Sequence, residues 1–249
     1  MKKILLLCGL MMIHFLFLGH AETDSNSLFR AANDAYRNGQ FEKAYEGYEK
    51  ASHDLNISEL YYNLGNAAFK MHKLGLAILN YERAKRLDPR NADILENLKY
   101  AESLVEYRVE NKRNWYWDKF LETLEFVRLN ECMIFLSVIY FILALSLLVT
   151  RLLKKRFVFG RMGSALLSIF VILAVPTLIK FYGEKLQKNA VVIAQKVDAR
   201  YGPSRVDKLA FSLVEGIQVE IADQVEDWYR VTLLSGESGW APKEGIEIV

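Results

Sequence analysis

A chain of 249 residues with a formal net charge of +2 and 52% hydrophobic residues holds one or two ordinary domains. Its near-balanced charge excludes the broad basic surface that nucleic acid demands, so no nucleic acid partner is expected. Two cysteines and four histidines, with no CxxC pair and no Cys/His cluster at metal-ligand spacing, exclude a disulfide framework and a zinc site, and no cofactor or metal is expected.

The chain opens on Met1-Lys2-Lys3, runs apolar from Ile4 to Leu18 and then reads Gly19-His20-Ala21. A charged start, an apolar middle and a small-x-small end predict a secretory signal peptide over 1–21, cleaved after Ala21. Retention as an uncleaved anchor is the alternative, and it leaves the topology unchanged.

Residues 22–110 read as helical and repeated. Tyr61, Leu64, Gly65, Ala77, Tyr81, Ala84 and Pro89 stand at the offsets of the W-x2-L-G…A-x3-F…P pattern of the tetratricopeptide repeat. Leu28, Ala32, Ala44, Tyr48 and Ala51 form a first copy, one residue short of the usual period. The small residues let paired helices approach and the large ones fill the space beside them. Gly39 and Gly75 are expected at the turns inside each repeat. Asp88-Pro89 separates the second repeat from a capping helix that starts at Asn91.

Residues 111–131 predict an amphipathic helix beside a membrane, led by Trp115, Tyr116 and Trp117, which favour the lipid interface; packing on the repeats is the alternative. Two apolar runs follow, 132–150 and 162–182, the first without a charged residue and the second without one before Lys180, each near the roughly 20 residues that cross the hydrocarbon core. Lys180, near the end of the second, is expected to snorkel to the interface. The segment between them, 151–161, carries Arg151, Lys154, Lys155, Arg156 and Arg161 and no acid. Basic short loops stay in the cytoplasm, so both flanking domains are expected outside.

Residues 190–249 change to short β-rich runs at Val191–Ala194, Ile217–Ile221, Trp228–Leu233 and Ile246–Val249, separated by Gly-, Pro- and Ser-rich turns. About sixty residues of this kind fit a small β-barrel. The order Ala199-Arg200-Tyr201-Gly202-Pro203-Ser204, Glu215-Gly216, Asp227-Trp228-Tyr229-Arg230-Val231 and Gly239-Trp240-Ala241-Pro242 resembles the bacterial SH3-like domain. The fold class read from the whole chain is therefore a multi-domain membrane protein: a helical repeat solenoid, a two-helix transmembrane hairpin and a small all-β barrel.

The order of these segments, with Tyr61–Gly65, Asp88-Pro89 and the Asn97-Leu98 stretch, resembles the BatE proteins of the bacterial aerotolerance operon. The resemblance implies a protein of the bacterial inner membrane with both soluble domains in the periplasm. It also implies work beside von Willebrand factor A-type membrane proteins and a MoxR-type ATPase, in stress tolerance or envelope maintenance.

No nucleophile elbow, HExxH, Walker or Rossmann pattern is present, so the expectation is a binding protein and not an enzyme. Counting Gly65 as the eighth position of its repeat puts Asn63, Asn66 and Phe69 on the concave face. The same count gives Arg30, Asn33 and Tyr36 in the first copy and Asn97 in the capping helix. Each asparagine carries a donor and an acceptor, which suits the backbone of an extended chain. Arg30, Arg37 and Lys70 favour an acidic or C-terminal segment. The known carboxylate clamp is half matched, with Phe29 and Asp93 where its lysines stand. In the β domain, Tyr201, Trp228 and Trp240 are the candidate ligand residues, with a place in the barrel core as the alternative for the two tryptophans. Two functions follow: an adaptor that binds envelope proteins, or a binder of cell-wall glycopeptide (peptidoglycan) with the repeats as spacer.

Overall fold

The computed structural model describes residues 24–106, 114–153, 156–186 and 188–249; the expected signal peptide lies outside them. The repeats form five helices: α1 over 24–37, α2 Phe41–Ala51, α3 Ser58–Lys70, α4 Leu74–Leu87 and α5 Ala92–Ser103. Their contact faces are built from small residues. Ala32, Ala35, Ala44, Ala51, Ala67, Ala68, Ala77 and Ala84 are all buried, with Tyr48 and Tyr81 filling between them. Asn91 caps α5 by accepting from the amides of Asp93 (3.1 Å) and Ile94 (3.4 Å), which satisfies two of the orphan donors at a helix start.

The turn inside each repeat needs one left-handed residue. In the first it is Gly39, φ 73°, as expected; in the second it is His72, φ 59°. The closing bonds are alike: Gln40 N–H to Ala35 O and Lys73 N–H to Ala68 O, both 3.0 Å. Gly75 therefore does not make the turn. It lies buried in the first turn of α4, and its lack of a side chain serves a different contact, described below.

Helix α6 (Trp115–Glu125) lies within the expected 111–131 helix, whose residues 111–113 are outside the described ones, and has no buried residue. Trp115 and Tyr116 are 67% and 76% exposed. Three ion pairs of alternating sign join the repeats to the segment entering the first apolar helix. Lys85 meets Glu125 at 2.8 Å, Asp88 meets Arg128 at 2.6 Å, and Arg90 grips Glu131 with two nitrogens while its guanidinium lies over the Phe126 ring.

The antiparallel helices α7 (Leu129–Leu153) and α8 (Arg156–Phe181) carry apolar stretches of 24 residues (Leu129–Leu152) and 22 residues (Gly163–Glu184, running past the end of α8), long enough to cross a membrane by length and composition. Among the described residues, most of their large apolar side chains face outward, the arrangement that lipid accepts and water penalises. Tyr140 and Phe170 touch between them. Lys180 is buried and reaches along the chain to pair with Glu184 at 2.7 Å, one turn beyond.

A π-helical turn (Tyr182–Leu186) leads to seven strands: β1 Lys188–Val192, β2 Lys196–Arg200, β3 Leu209–Val214, β4 Gln218–Val225, β5 Trp228–Thr232, β6 Ser238–Pro242 and β7 Ile246–Ile248. They pair antiparallel in the order β3-β2-β6-β5-β4-β1-β7. The sheet curls around one core drawn from all seven strands but stays open between β3 and β7, where the sequence suggested a closed barrel.

The sheet packs along α4. Val191 of β1 is fully buried in the same cluster as Ile78, Leu79, Leu98 and Ala101, with Ile193 and Val249 against it. The Gly75 amide donates to Glu215 Oε1 at 2.8 Å. Arg83 reaches Glu247 (2.8 Å) and the Ile248 carbonyl (2.7 Å), and Arg86 reaches the Val249 carbonyl at 2.9 Å. Residues on either side of the apolar pair thus meet at one end of it.

Between α4, α5, α6 and β4 lies an acidic junction. The Gln218 amide nitrogen donates to both Glu82 (3.1 Å) and Glu102 (2.8 Å), with Lys85 between Glu82 and Glu125. Partial loss of water, and then the charge of Glu82, raise the Glu102 carboxyl above its ordinary value. A raised acid is bound more tightly by the assembled junction than by the open one, so protonation favours assembly. The gain grows as pH falls through the raised value and levels off below the ordinary one. The protection factors of the α4 and β4 amides, that is, exchange rates corrected for the pH dependence of the intrinsic rate, should rise as pH falls from neutral towards the ordinary carboxylate range. Glu102→Gln should remove that rise and give the higher protection already at neutral pH; an unchanged protection profile in the variant would assign the effect elsewhere.

Candidate functional site: a ladder of asparagines

Helices α1, α3 and α5 are the first helices of successive units, and they lie side by side. Asn33 Oδ1 accepts from the Tyr48 hydroxyl at 2.7 Å and from Asn63 Nδ2 at 3.2 Å. One repeat later, Asn66 Oδ1 accepts from the Tyr81 hydroxyl at 2.8 Å and from Asn97 Nδ2 at 3.1 Å. Each step has the same logic. A tyrosine from the repeat's own second helix fixes the asparagine, and an asparagine from the next unit's first helix bonds to it. Asn97 Nδ2 also donates to the Tyr62 hydroxyl at 3.0 Å. Burial holds the tyrosines neutral: loss of water pushes the Tyr48 hydroxyl up to about 12 and raises that of Tyr81 further. They remain donors throughout the physiological range.

The ladder leaves half of its capacity unused. An amide side chain offers two donors and one carbonyl acceptor. Asn33 and Asn66 spend their carbonyls within the ladder and keep Nδ2; Asn63 and Asn97 spend Nδ2 and keep Oδ1. Idle donors and idle acceptors therefore alternate across the three helices. All four residues are half-buried, so these groups are reachable from the concave side.

Around them, Arg30 is exposed, and Tyr36 is half-buried with its ring edge-on to Phe41 at 5.3 Å. Phe69 is half-buried against Tyr100 at 5.8 Å, and Tyr100 is largely exposed. Arg37 forms an ion pair with Asp34 on the open surface. The structure thus brings Asn33 to Asn63, Asn66 to Asn97 and Phe69 to the α5 surface. The hydroxyls of Tyr48, Tyr81 and Tyr62 belong to the same network and were missed. The recurring separation between Asn33 and Tyr48 and between Asn66 and Tyr81 was the signal that could have found the first two.

The β-domain candidates lie apart from this groove. Cross-strand pairs share one face of a sheet. Trp240 pairs with Arg200 and Arg230, and Trp228 with Val225 and Pro242. Their neighbours Tyr229, Val231 and Ala241 turn inward to the core. Both tryptophans are half-buried and outside that core, and Tyr201 is 70% exposed.

The tetratricopeptide repeat family matches residues 58–91, which span α3 and α4. No curated protein matches the chain. The matched unit supports a role in protein–protein interaction, as an adaptor or scaffold.

Proposed function

We propose that this protein is a membrane-anchored adaptor that binds an extended segment of another protein across the asparagine ladder. The observation that carries the reading is the alternation of idle donors and acceptors, spaced to meet a backbone without reading its side chains. The anchor is the α7–α8 pair. The basic residues between the two runs support cytoplasmic placement of that connection and periplasmic placement of the repeats and the β domain. The resemblance to BatE proteins supports a bacterial inner-membrane setting, a stress-tolerance role, and partners among von Willebrand factor A-type membrane proteins and a MoxR-type ATPase system. The likeness of the β domain to bacterial SH3-like domains, despite its open sheet, supports a second binding module. The reading assigns binding and no catalytic step.

The test uses substitutions that keep the ladder. Asn33→Asp with Asn66→Asp preserves both acceptors for the tyrosines but replaces the idle donors with acceptors. Each lost donor removes about 1 kcal/mol, and two together weaken binding by about tenfold or more. A photoreactive residue at Lys70, crosslinked in membranes, should yield a protein adduct that the double variant loses, with helical circular dichroism retained. The same adduct in undiminished yield would remove the ladder from binding. The outward-facing Trp228 and Trp240 favour the second reading, a glycan ligand for the β domain; retention of the full chain on purified peptidoglycan, lost with Trp240→Ala, would support it.

A further inference from the structure

We infer that the groove is electrically polar across its width and takes a protein segment whose acidic and basic residues are separated, with the acidic end over α1 and the basic end over α5. This rests on the ladder being a binding groove. Residues three or four apart share one face of a helix. On α1, Arg30 and Arg37 flank Asn33, and both are exposed; Asp34 pairs with Arg37 at the lip and leaves Arg30 to the groove. On α3, Glu59 and Lys70 stand at opposite ends of the asparagine pair and offset one another. On α5, Asp93 lies one turn before Asn97 and is exposed, while Glu96 and Lys99, three residues apart, share a neighbouring face and offset one another. The sign of the groove therefore runs from positive through balanced to negative.

The idle ladder groups run the same way. The α1 end offers a donor, Asn33 Nδ2, and the α5 end an acceptor, Asn97 Oδ1. Charge and hydrogen-bonding capacity thus select the same orientation of charge in the bound segment. Neighbouring helix axes lie about 8–10 Å apart. Two such steps separate α1 from α5, and an extended chain covers that distance in about five or six residues. The bound segment thus carries its carboxylates about five or six residues from its cations.

The experiment measures fluorescence anisotropy with the full chain in detergent micelles and four labelled dodecapeptides of equal length. One has two aspartates and two lysines five residues apart. The second has the same charges adjacent. The third is uniformly acidic and the fourth uniformly basic. The spaced peptide should bind about tenfold more tightly than the others at low salt and lose that advantage as salt rises. Arg30→Glu with Arg37→Glu should move the preference to the basic peptide, and Asp93→Lys with Glu96→Lys to the acidic one. All four sites are exposed, and helical circular dichroism checks that each variant stays folded. Equal binding of the spaced and acidic peptides overturns the polarity and leaves the groove in place. Failure of every peptide to bind overturns both.

Discussion

Gly75→Val separates the β domain from the repeats while each stays folded. A Cβ built at Gly75 would stand 2.4 Å from the Val192 carbonyl oxygen and 2.9 Å from Ile193 Cα. Both are backbone atoms of the chain leaving β1, which is paired on both sides, with β4 and β7. They cannot swing aside as a side chain would, so the sheet must lift. Lifting exposes Val191, worth about 1.5–3 kcal/mol by burial alone. It also breaks the Gly75–Glu215 bond and the Arg83 and Arg86 contacts to β7 and Val249. Nothing in α4 itself resists the change, because valine costs an α-helix only a fraction of a kcal/mol and glycine is the poorer helix former. Exchange of the α4 and β1 amides should accelerate by tenfold or more, with helix and sheet signals in circular dichroism intact. Exchange at the wild-type rate would show that the sheet tolerates the side chain.

Gly75 also marks where local sequence stops being informative. Its place near the end of the α3–α4 turn made it resemble Gly39, and from one strand of sequence a glycine before a helix reads as a turn. The residue that takes the left-handed conformation is His72, which no propensity would choose. The contact that requires a glycine at position 75 comes from Val192 and Ile193, far along the chain. The repeat helices and the two apolar helices were legible because each repeats its own pattern over many residues. Three strands were not. In β2 and β6 only Val197, Ala199, Gly239 and Ala241 face the core; these residues are too small to show a strand alternation, and β6 was read as a turn and motif. The asparagines of the groove were legible by position in the repeat. Their bonding was not, since it depends on tyrosines supplied by the second helix of each unit.

Gly65→Val should destabilise the second repeat. A Cβ at Gly65 would lie 2.5 Å from Cδ1 and Cε1 of Tyr81. That ring is 2% exposed, and its hydroxyl is tied to Asn66 at 2.8 Å, so it has neither space nor freedom to turn away. The first repeat shows what an alanine there demands. Ala32 occupies the matching position, and Gly47 stands opposite it: a Cβ on Gly47 would come within 2.9 Å of Ala32 Cβ. The first repeat thus places its glycine on the second helix, and the second repeat places its glycine on the first. The residue that matches Gly47 in the second repeat is Asn80, 1% exposed and bonded to the Leu76 carbonyl at 2.8 Å, so the helices cannot close on that side. Overpacking costs about 1–3 kcal/mol, and the lost Tyr81–Asn66 bond about 1 more. Because α4 carries both α5 and the sheet, the loss spreads to both neighbours. Thermal unfolding of the full chain should show the helical signal falling by about 10 °C or more, with the ladder bonds lost before the apolar helices. A double variant with Tyr81→Leu should recover most of the packing loss and none of the hydrogen bond. If Gly65→Val and Tyr81→Leu simply add, the ring is not what the glycine accommodates.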